Sequence, residues 1–248
     1  MNVLVDVGNS RLKWCSDIAT GLTGTVALDY REHNACDALT KAWSAMARPD
    51  CVGIASVSTP EIRAWLINVV HQVWPEVPIR LAETPREACG VINGYSHPQT
   101  LGVDRWLAML AAFDAYPAPL CVVDCGTAMT VDMIDAEGFH QGGLIAPGLN
   151  AMQTALSVST AQLNDAGAAM QAGTHLARNT AAGIANGAMM AAVGFIEALH
   201  ARLDARCSLI MTGGDAVVIA ANLKIAAIID PQLVMKGLAM LCRGGKAP

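Results

Sequence analysis

The sequence predicts an α/β fold built from two similar halves, and three observations predict it. Short apolar runs of strand length alternate with longer stretches of helical periodicity. One of those runs recurs together with its loop: Leu4-Val5-Asp6-Val7-Gly8-Asn9-Ser10 returns as Val122-Val123-Asp124-Cys125-Gly126-Thr127-Ala128. Hydrophobic residues make up 53% of the 248 and charged residues 15%, which is enough apolar material for a large core and far from a disordered composition.

Strands are expected at Val3 to Val5, Val52 to Val57, Leu120 to Val123, Thr130 to Ile134, Ser208 to Met211 and Ile225 to Ile229, each an apolar run that stops at polar residues or Gly. After the second of these, Thr59 can cap a helix and Pro60 fits its first turn. Ile62, Trp65, Leu66, Val69, Val70 and Val73 then form one apolar face. A further helix follows Val103-Asp104-Arg105, with Trp106, Leu107, Leu110 and Phe113 on the side of Val103. Asp135-Ala136-Glu137-Gly138 reads as a hairpin turn between two strands. The repeat is too long for a solenoid, so two similar domains facing one another across a cleft are expected. Pro117 and Pro119 stop the preceding helix, which puts the division at 1–117 and 118–248.

Sixteen Lys and Arg against 21 Asp and Glu give a net charge of −5, and no basic run tracks phosphates, so nucleic acid is not an expected partner. The long uncharged stretches Gly138 to Asn164 and Asn179 to Ile196 are interrupted by Gly, Asn, Gln, Thr or Pro, and no membrane span is expected from them. Asp6 follows the first apolar residues at once and leaves no room for a signal peptide, so a cytoplasmic location is expected. The eight Cys contain no C-x-x-C and read mainly as reduced core residues rather than a zinc site. His97, His140 and His175 have no metal-ligand spacing and are expected in solvated or capping roles.

An Asp at the end of a buried strand, followed two residues later by Gly, places a carboxylate beside a tight turn whose N–H groups can hold phosphate oxygens and a magnesium ion. Ser10 and Thr127 add hydroxyls and Lys13 adds a positive charge. A third loop, Thr212-Gly213-Gly214-Asp215, allows close backbone approach to a base and ribose. Any one of these loops also reads as an ordinary turn; two Asp loops in matching context, followed by the Gly pair, favour a nucleotide.

These motifs stand in a recognisable order: Asp6-x-Gly8-Asn9-Ser10-x-x-Lys13, Gly102-Val103-Asp104-Arg105, Asp124-x-Gly126-Thr127-Ala128-x-Thr130, Gly142-Gly143-x-Ile145-x-Pro147-Gly148, Asn179-Thr180 and Thr212-Gly213-Gly214-Asp215. In that order, over nearly the whole chain, the sequence resembles type III pantothenate kinase. The wider relationship is to the acetate and sugar kinase, Hsp70 and actin superfamily, whose duplicated ribonuclease H-like domains grip ATP. Ser10 stands where Thr is common in the family, keeping the hydroxyl and losing a methyl. The family also includes the Bvg accessory factor, linked to transcriptional regulation, so a nucleotide-binding regulator is the alternative from another class.

The resemblance implies ATP-dependent phosphorylation of pantothenate to 4′-phosphopantothenate, the first step of coenzyme A biosynthesis. The residues alone reach an ATP-dependent phosphotransferase for a small hydroxylated substrate, and another kinase of the superfamily also fits them. Asp6 is expected to hold magnesium, and Gly8, Asn9, Ser10, Lys13 and Thr127 to contact the phosphates, with Gly213 and Gly214 against the base and ribose. Asp104 is the expected general base, its alternative being a helix N-cap. Arg105 offers a planar fork to the substrate's carboxylate, its alternative being a surface or Asp-paired Arg. The resemblance puts Tyr95, Gly102, Val103 and Thr180 at the pantothenate pocket, although Tyr95 also reads as simple packing. It further implies a monovalent cation, potassium or ammonium, bound with help from Asp124. Finally it implies a homodimer whose two-fold contact includes the apolar region Leu176 to Leu199, bringing Thr180 toward the partner's substrate.

Overall fold

The computed structural model describes residues 1–9, 11–159, 172–203 and 206–243. Val3, Leu4, Val5 and Val7 are all buried. Strand β1 (Asn2–Val7) is therefore a continuous apolar run at the centre of a five-stranded sheet, not an alternating one at its edge. On one side lie β2 (Leu12–Ile18) and then β3 (Gly21–Leu28), both antiparallel to their neighbours. On the other lie β4 (Cys51–Ser56) and β5 (Ile79–Leu81), both parallel, giving the order β3-β2-β1-β4-β5. Helix α1 (Ala35–Ser44) connects β3 to β4, and α2 (Pro60–Val73) connects β4 to β5. Their apolar faces meet the sheet at Val3, Val5, Val52 and Ile54 through Leu39, Trp43, Leu66 and Val70. Trp43 stacks on Trp74 at 5.2 Å.

A short hairpin follows, β6 (Glu87–Ala88) and β7 (Val91–Ile92), turning on Cys89 and Gly90 with φ of 49° and 80°. A 3-10 turn at Pro98–Thr100 then leads into α3 (Val103–Ala115).

The second sheet comprises β8 (Leu120–Cys125), β9 (Ala128–Ile134), β10 (His140–Pro147), β11 (Ser208–Thr212) and β12 (Ile228–Ile229), in the order β10-β9-β8-β11-β12. The first three strands are antiparallel and the last two parallel to β8 and β11 respectively. Strand for strand this is the order and direction of the first sheet, so the duplication read in two loops extends through both sheets. Helices α4 (Leu149–Ser159) and α5 (Thr180–His200) lie between β10 and β11, and α6 (Ala216–Ala220) between β11 and β12. Met189, Ala192, Val193 and Ile196 of α5 form one core with Val123, Val131, Leu209 and Met211.

The chain forms two compact units, Met1–Asp114 joined by the segment from Gln232, and Ala115–Pro231. The division expected after residue 117 has its counterpart after Asp114, and the segment from Gln232 groups with the first unit instead of the second. Its helix α7 (Leu233–Arg243) buries Met235, Leu238, Ala239 and Cys242 against Leu4, Ala55, Val103 and Leu107. Two glycines permit that approach. A Cβ on Gly237 would run into the backbone carbonyl of Leu107, and one on Gly53 would meet the Cys242 thiol and lie 3.1 Å from Leu4. At the end of α7, Arg80 donates to the Cys242 carbonyl at 2.9 Å and Arg243 pairs with the buried carboxylate of Asp17. The unsatisfied end of the helix is thereby anchored.

Several expectations need correction. The run Ile225 to Ile229 is a strand only at Ile228–Ile229. Thr59 precedes the helix but makes no capping bond to it; its side chain bonds the Glu61 carboxyl, holding that group below its ordinary range. His140 is neither solvated nor capping: it is fully buried and its Nε2 lies 2.9 Å from Asp132. Helix α5 is long and apolar enough to cross a membrane, with a mean hydropathy of 1.5 over its most apolar window, where the sequence pattern counts its polar breaks against a span. One face of it packs into the second core. Six of the eight thiols are buried, and burial pushes Cys121, Cys125 and Cys242 up to about 12; Cys89 is exposed and Cys36 intermediate.

Candidate active site

In the first unit the site begins where β1 runs out. Asp6 and Lys13 are direct partners across β1 and β2, so their side chains leave the same face of the sheet. The loop between them is closed by the Gly8 N–H donating to the Arg11 carbonyl at 3.0 Å. The Tyr30 hydroxyl donates to the Gly8 carbonyl at 2.8 Å, tying the loop to the segment after β3. Tyr30 carries no motif signal, because the contact joins residues that only the fold brings together. Asn9 is exposed at the tip, and Ser10 lies outside the described residues.

The same unit holds Asp104 and Arg105 at the head of α3. The Gly102 carbonyl accepts the first helical bond from Trp106 at 3.0 Å, so Gly102 occupies the cap position and Asp104 lies within the first turn. A carboxylate there is favoured by the helix dipole. Asp104 Oδ1 accepts from the Arg105 N–H at 2.8 Å and folds back over Gly102, where a Cβ would be 2.6 Å away. Arg105 is 7% exposed, and its Nη1 donates to the Tyr95 hydroxyl at 3.0 Å while the guanidinium sits 5.7 Å from the centre of the Tyr95 ring. Tyr95 is therefore a partner of Arg105 as well as packing. A cavity of about 620 Å³ is lined by Ser56, Val57, Thr84, Leu101, Gly102 and Val103, among others, a size suited to a small metabolite. Gly102 and Val103, which the resemblance puts at a pantothenate pocket, are among its lining. Ser56, Val57 and Thr84 were not expected there, since they are simply the residues at which β4 and the β5 segment stop.

The second unit repeats the strand-Asp-turn arrangement around Asp124, which pairs with Thr130 across β8 and β9. Its turn is one residue shorter, because Cys125 pairs with Met129 whereas Val7 pairs with Leu12. Two other motifs seat on this turn. The Gly148 N–H donates to the Thr127 carbonyl at 3.1 Å, and a Cβ there would be 2.7 Å from that oxygen. Gly213, at φ 94°, would put a Cβ 2.6 Å from the Cys125 backbone and against the Asp124 carboxylate, while the Asp215 N–H donates to the Cys125 carbonyl at 3.0 Å. Three motifs far apart in sequence thus meet at one turn, and the Gly213 loop lies against the Asp124 carboxylate. Burial holds the Asp215 carboxyl above its ordinary range. Thr180 is exposed at the start of α5, after Asn179 caps the helix by accepting from Ala182 at 2.8 Å. It lines an apolar groove of about 440 Å³ with Met152, Leu156, Gly183, Ile184 and Gly187.

Among the described residues no three His, Cys, Asp or Glu gather as a metal cluster. A nucleotide-borne divalent ion needs only one or two carboxylates and takes its other ligands from phosphates and water, so a cluster of three is not required of such a site.

Residues 2–202 match the family model described as type III pantothenate kinase. The chain belongs to that family. A type III pantothenate kinase of Nitrosococcus oceani is 34% identical over 252 residues, covering 98% of this chain and 94% of the relative. That of Halorhodospira halophila is 35% identical over 245 residues, covering 96% of each. Among solved structures, a conserved Campylobacter jejuni protein provisionally assigned as a Baf family transcriptional activator superposes with a TM-score of 0.62 at 21% identity, covering 98% of both chains. Component A of the Acidaminococcus fermentans (R)-2-hydroxyglutaryl-CoA dehydratase superposes at 0.52 with 12% identity, covering 99% of both. Those two likenesses establish the fold, and the sequence relatives establish a phosphotransferase of the type III pantothenate kinase family. Kinases of this kind work with ATP and a divalent cation.

Proposed function

We propose that this protein transfers the γ-phosphoryl group of ATP to the 4′-hydroxyl of pantothenate. The observation that carries the reading is the Asp104–Arg105 pair at the head of α3, a carboxylate beside a buried guanidinium next to a metabolite-sized cavity. Pantothenate has one hydroxyl to be phosphorylated and one carboxylate to be held, and the pair supplies a proton acceptor for the first and a planar two-donor fork for the second. Asp104 takes the hydroxyl proton as the new O–P bond forms; the bond from the γ-phosphorus to the bridging oxygen breaks, and ADP leaves. An ordinary Asp is ionised at neutral pH and ready for that role.

Lys13, Thr127 and the loop that carries Gly8 and Asn9 would contact the phosphates, and Gly213 with Gly214 would let the nucleotide approach the backbone. Magnesium would be held by Asp6 and would neutralise polyphosphate charge. Asp124, whose carboxylate lies against Gly213, would help to hold potassium or ammonium.

The second part of the proposal is a homodimer through α5 and the groove beside it. Met190 and Leu156 are each 51% exposed and Leu176 is 99% exposed, an apolar surface that a second copy would cover. Thr180 would then reach pantothenate held by the partner.

The direct test supplies purified protein with magnesium, potassium or ammonium, ATP, and pantothenate beside a panel of sugars. Formation of 4′-phosphopantothenate supports the reading; turnover only with a sugar, or with nothing, overturns it. Light scattering tests the dimer, and mixing Asp104→Asn with Thr180→Arg protomers after verified exchange should restore activity at one of two sites. A monomer, or no rescue, would count against it.

A further inference from the structure

We infer that Asn93 and Arg86 are positioning residues for substrate recognition, acting through Tyr95 on Arg105. The inference rests on the reading that Arg105 receives the acceptor's carboxylate. Asn93 has no exposed surface at all, and an amide so buried is costly unless each of its polar atoms is matched. Its Oδ1 accepts from the Tyr95 N–H at 2.9 Å. Its Nδ2 faces the carbonyls of Pro98 at 3.3 Å and of Pro85 at 3.5 Å, while its own N–H donates to the Arg86 carbonyl at 2.8 Å. One side chain thus joins the entry to the β6–β7 hairpin, the segment carrying Tyr95, and the 3-10 turn that leads to Gly102. Arg86 completes the hold by donating from Nη1 to the Tyr95 carbonyl at 3.1 Å. The Tyr95 backbone is therefore fixed at both its N–H and its C=O.

What Tyr95 then presents is a hydroxyl for Arg105 Nη1 and a ring face beside its guanidinium. Two attachments to one side chain restrict the orientation of a planar fork, and a fork that binds a carboxylate through two donors tolerates little error in it. Neither Asn93 nor Arg86 belongs to the cavity lining. Their effect on the acceptor is indirect, and it is specific to that substrate because none of these bonds involves the Asp6 loop.

The test uses the full chain in two variants. Arg86→Gln changes an exposed side chain. Asn93→Asp keeps the acceptor for the Tyr95 N–H but sets a carboxylate against two carbonyls. Pantothenate affinity is measured by calorimetry, KM for each substrate by coupled assay, and Tm by thermal melting. Arg86→Gln should weaken pantothenate binding about 3- to 10-fold, the loss of one hydrogen bond, with KM for ATP and Tm nearly unchanged. Asn93→Asp should weaken it at least as much, and neither change should add to the loss already caused by Arg105→Met. The inference is overturned if both substrates' KM values rise together as Tm falls, or if pantothenate affinity survives both variants while Arg105→Met abolishes it. Should Arg105→Met itself leave pantothenate binding intact, the carboxylate reading of Arg105 fails first and carries this inference with it.

Discussion

The carboxylate of Asp104 occupies the space that a side chain on Gly102 would need: a Cβ there would lie 2.6 Å from Oδ1. The obstructing atom is the end of a flexible side chain, so a methyl group displaces the carboxylate without disturbing the helix. Gly102→Ala is expected to lower kcat roughly 10- to 100-fold, the scale of a misplaced reacting group, with unfolding free energy within about 1 kcal/mol of the parent. Parallel kinetics and denaturant titration check it, and a large loss of stability with normal turnover per folded molecule would refute it.

Asp104→Asn leaves an oxygen to accept from the Arg105 N–H but removes the capacity to take a proton. Turnover is expected to fall about 10²–10⁴-fold, as for loss of a general base. Circular dichroism should be unchanged. Near-parent turnover would reduce Asp104 to a helix-terminal residue.

For Asp124 the readout is the choice of salt. The parent should be faster in potassium or ammonium than in sodium, and Asp124→Ala should erase the difference. Equal parent rates in the three salts would remove the cation from the mechanism.

Gly237→Ala tests packing alone. The obstruction is the Leu107 backbone carbonyl, which cannot swing aside as a side chain can. The expected cost is about 1–3 kcal/mol, typical of an overpacked contact, read from the urea midpoint. A loss near zero would show that α7 can slide over α3 freely.

The duplication was legible in sequence because each central strand must end in the same Asp-x-Gly turn, and a turn of that kind leaves a mark on consecutive residues. The motif residues of the second unit were legible for the same reason. Their meeting was not, because Gly148 and Gly213 contact Cys125 to Thr127 across long separations. Strand β3 left no apolar alternation because it is an exposed edge, with Thr23, Gly24, Thr25 and Val26 all facing water. Tyr30, Asn93 and Arg86 were missed because each acts on a backbone carbonyl or amide, and a backbone partner leaves no residue type to recognise. Helix α7 was not read in the sequence, and its place depends on Gly53 of β4 and Leu107 of α3, neither of which sits near it in the chain.

The return of α7 to the first sheet has a consequence for synthesis. Leu4 and Ala55 leave the ribosome early, but the residues that cover them, Met235 and Leu238, are translated only after the entire Ala115–Pro231 unit. One face of the nascent first unit therefore stays open to water, and to other chains, for most of translation. The Ala115–Pro231 unit has its whole length in hand earlier and owes nothing to that delay. Loss of a few residues from α7, by nonsense mutation or by proteolysis, would injure the half of the protein that was made first.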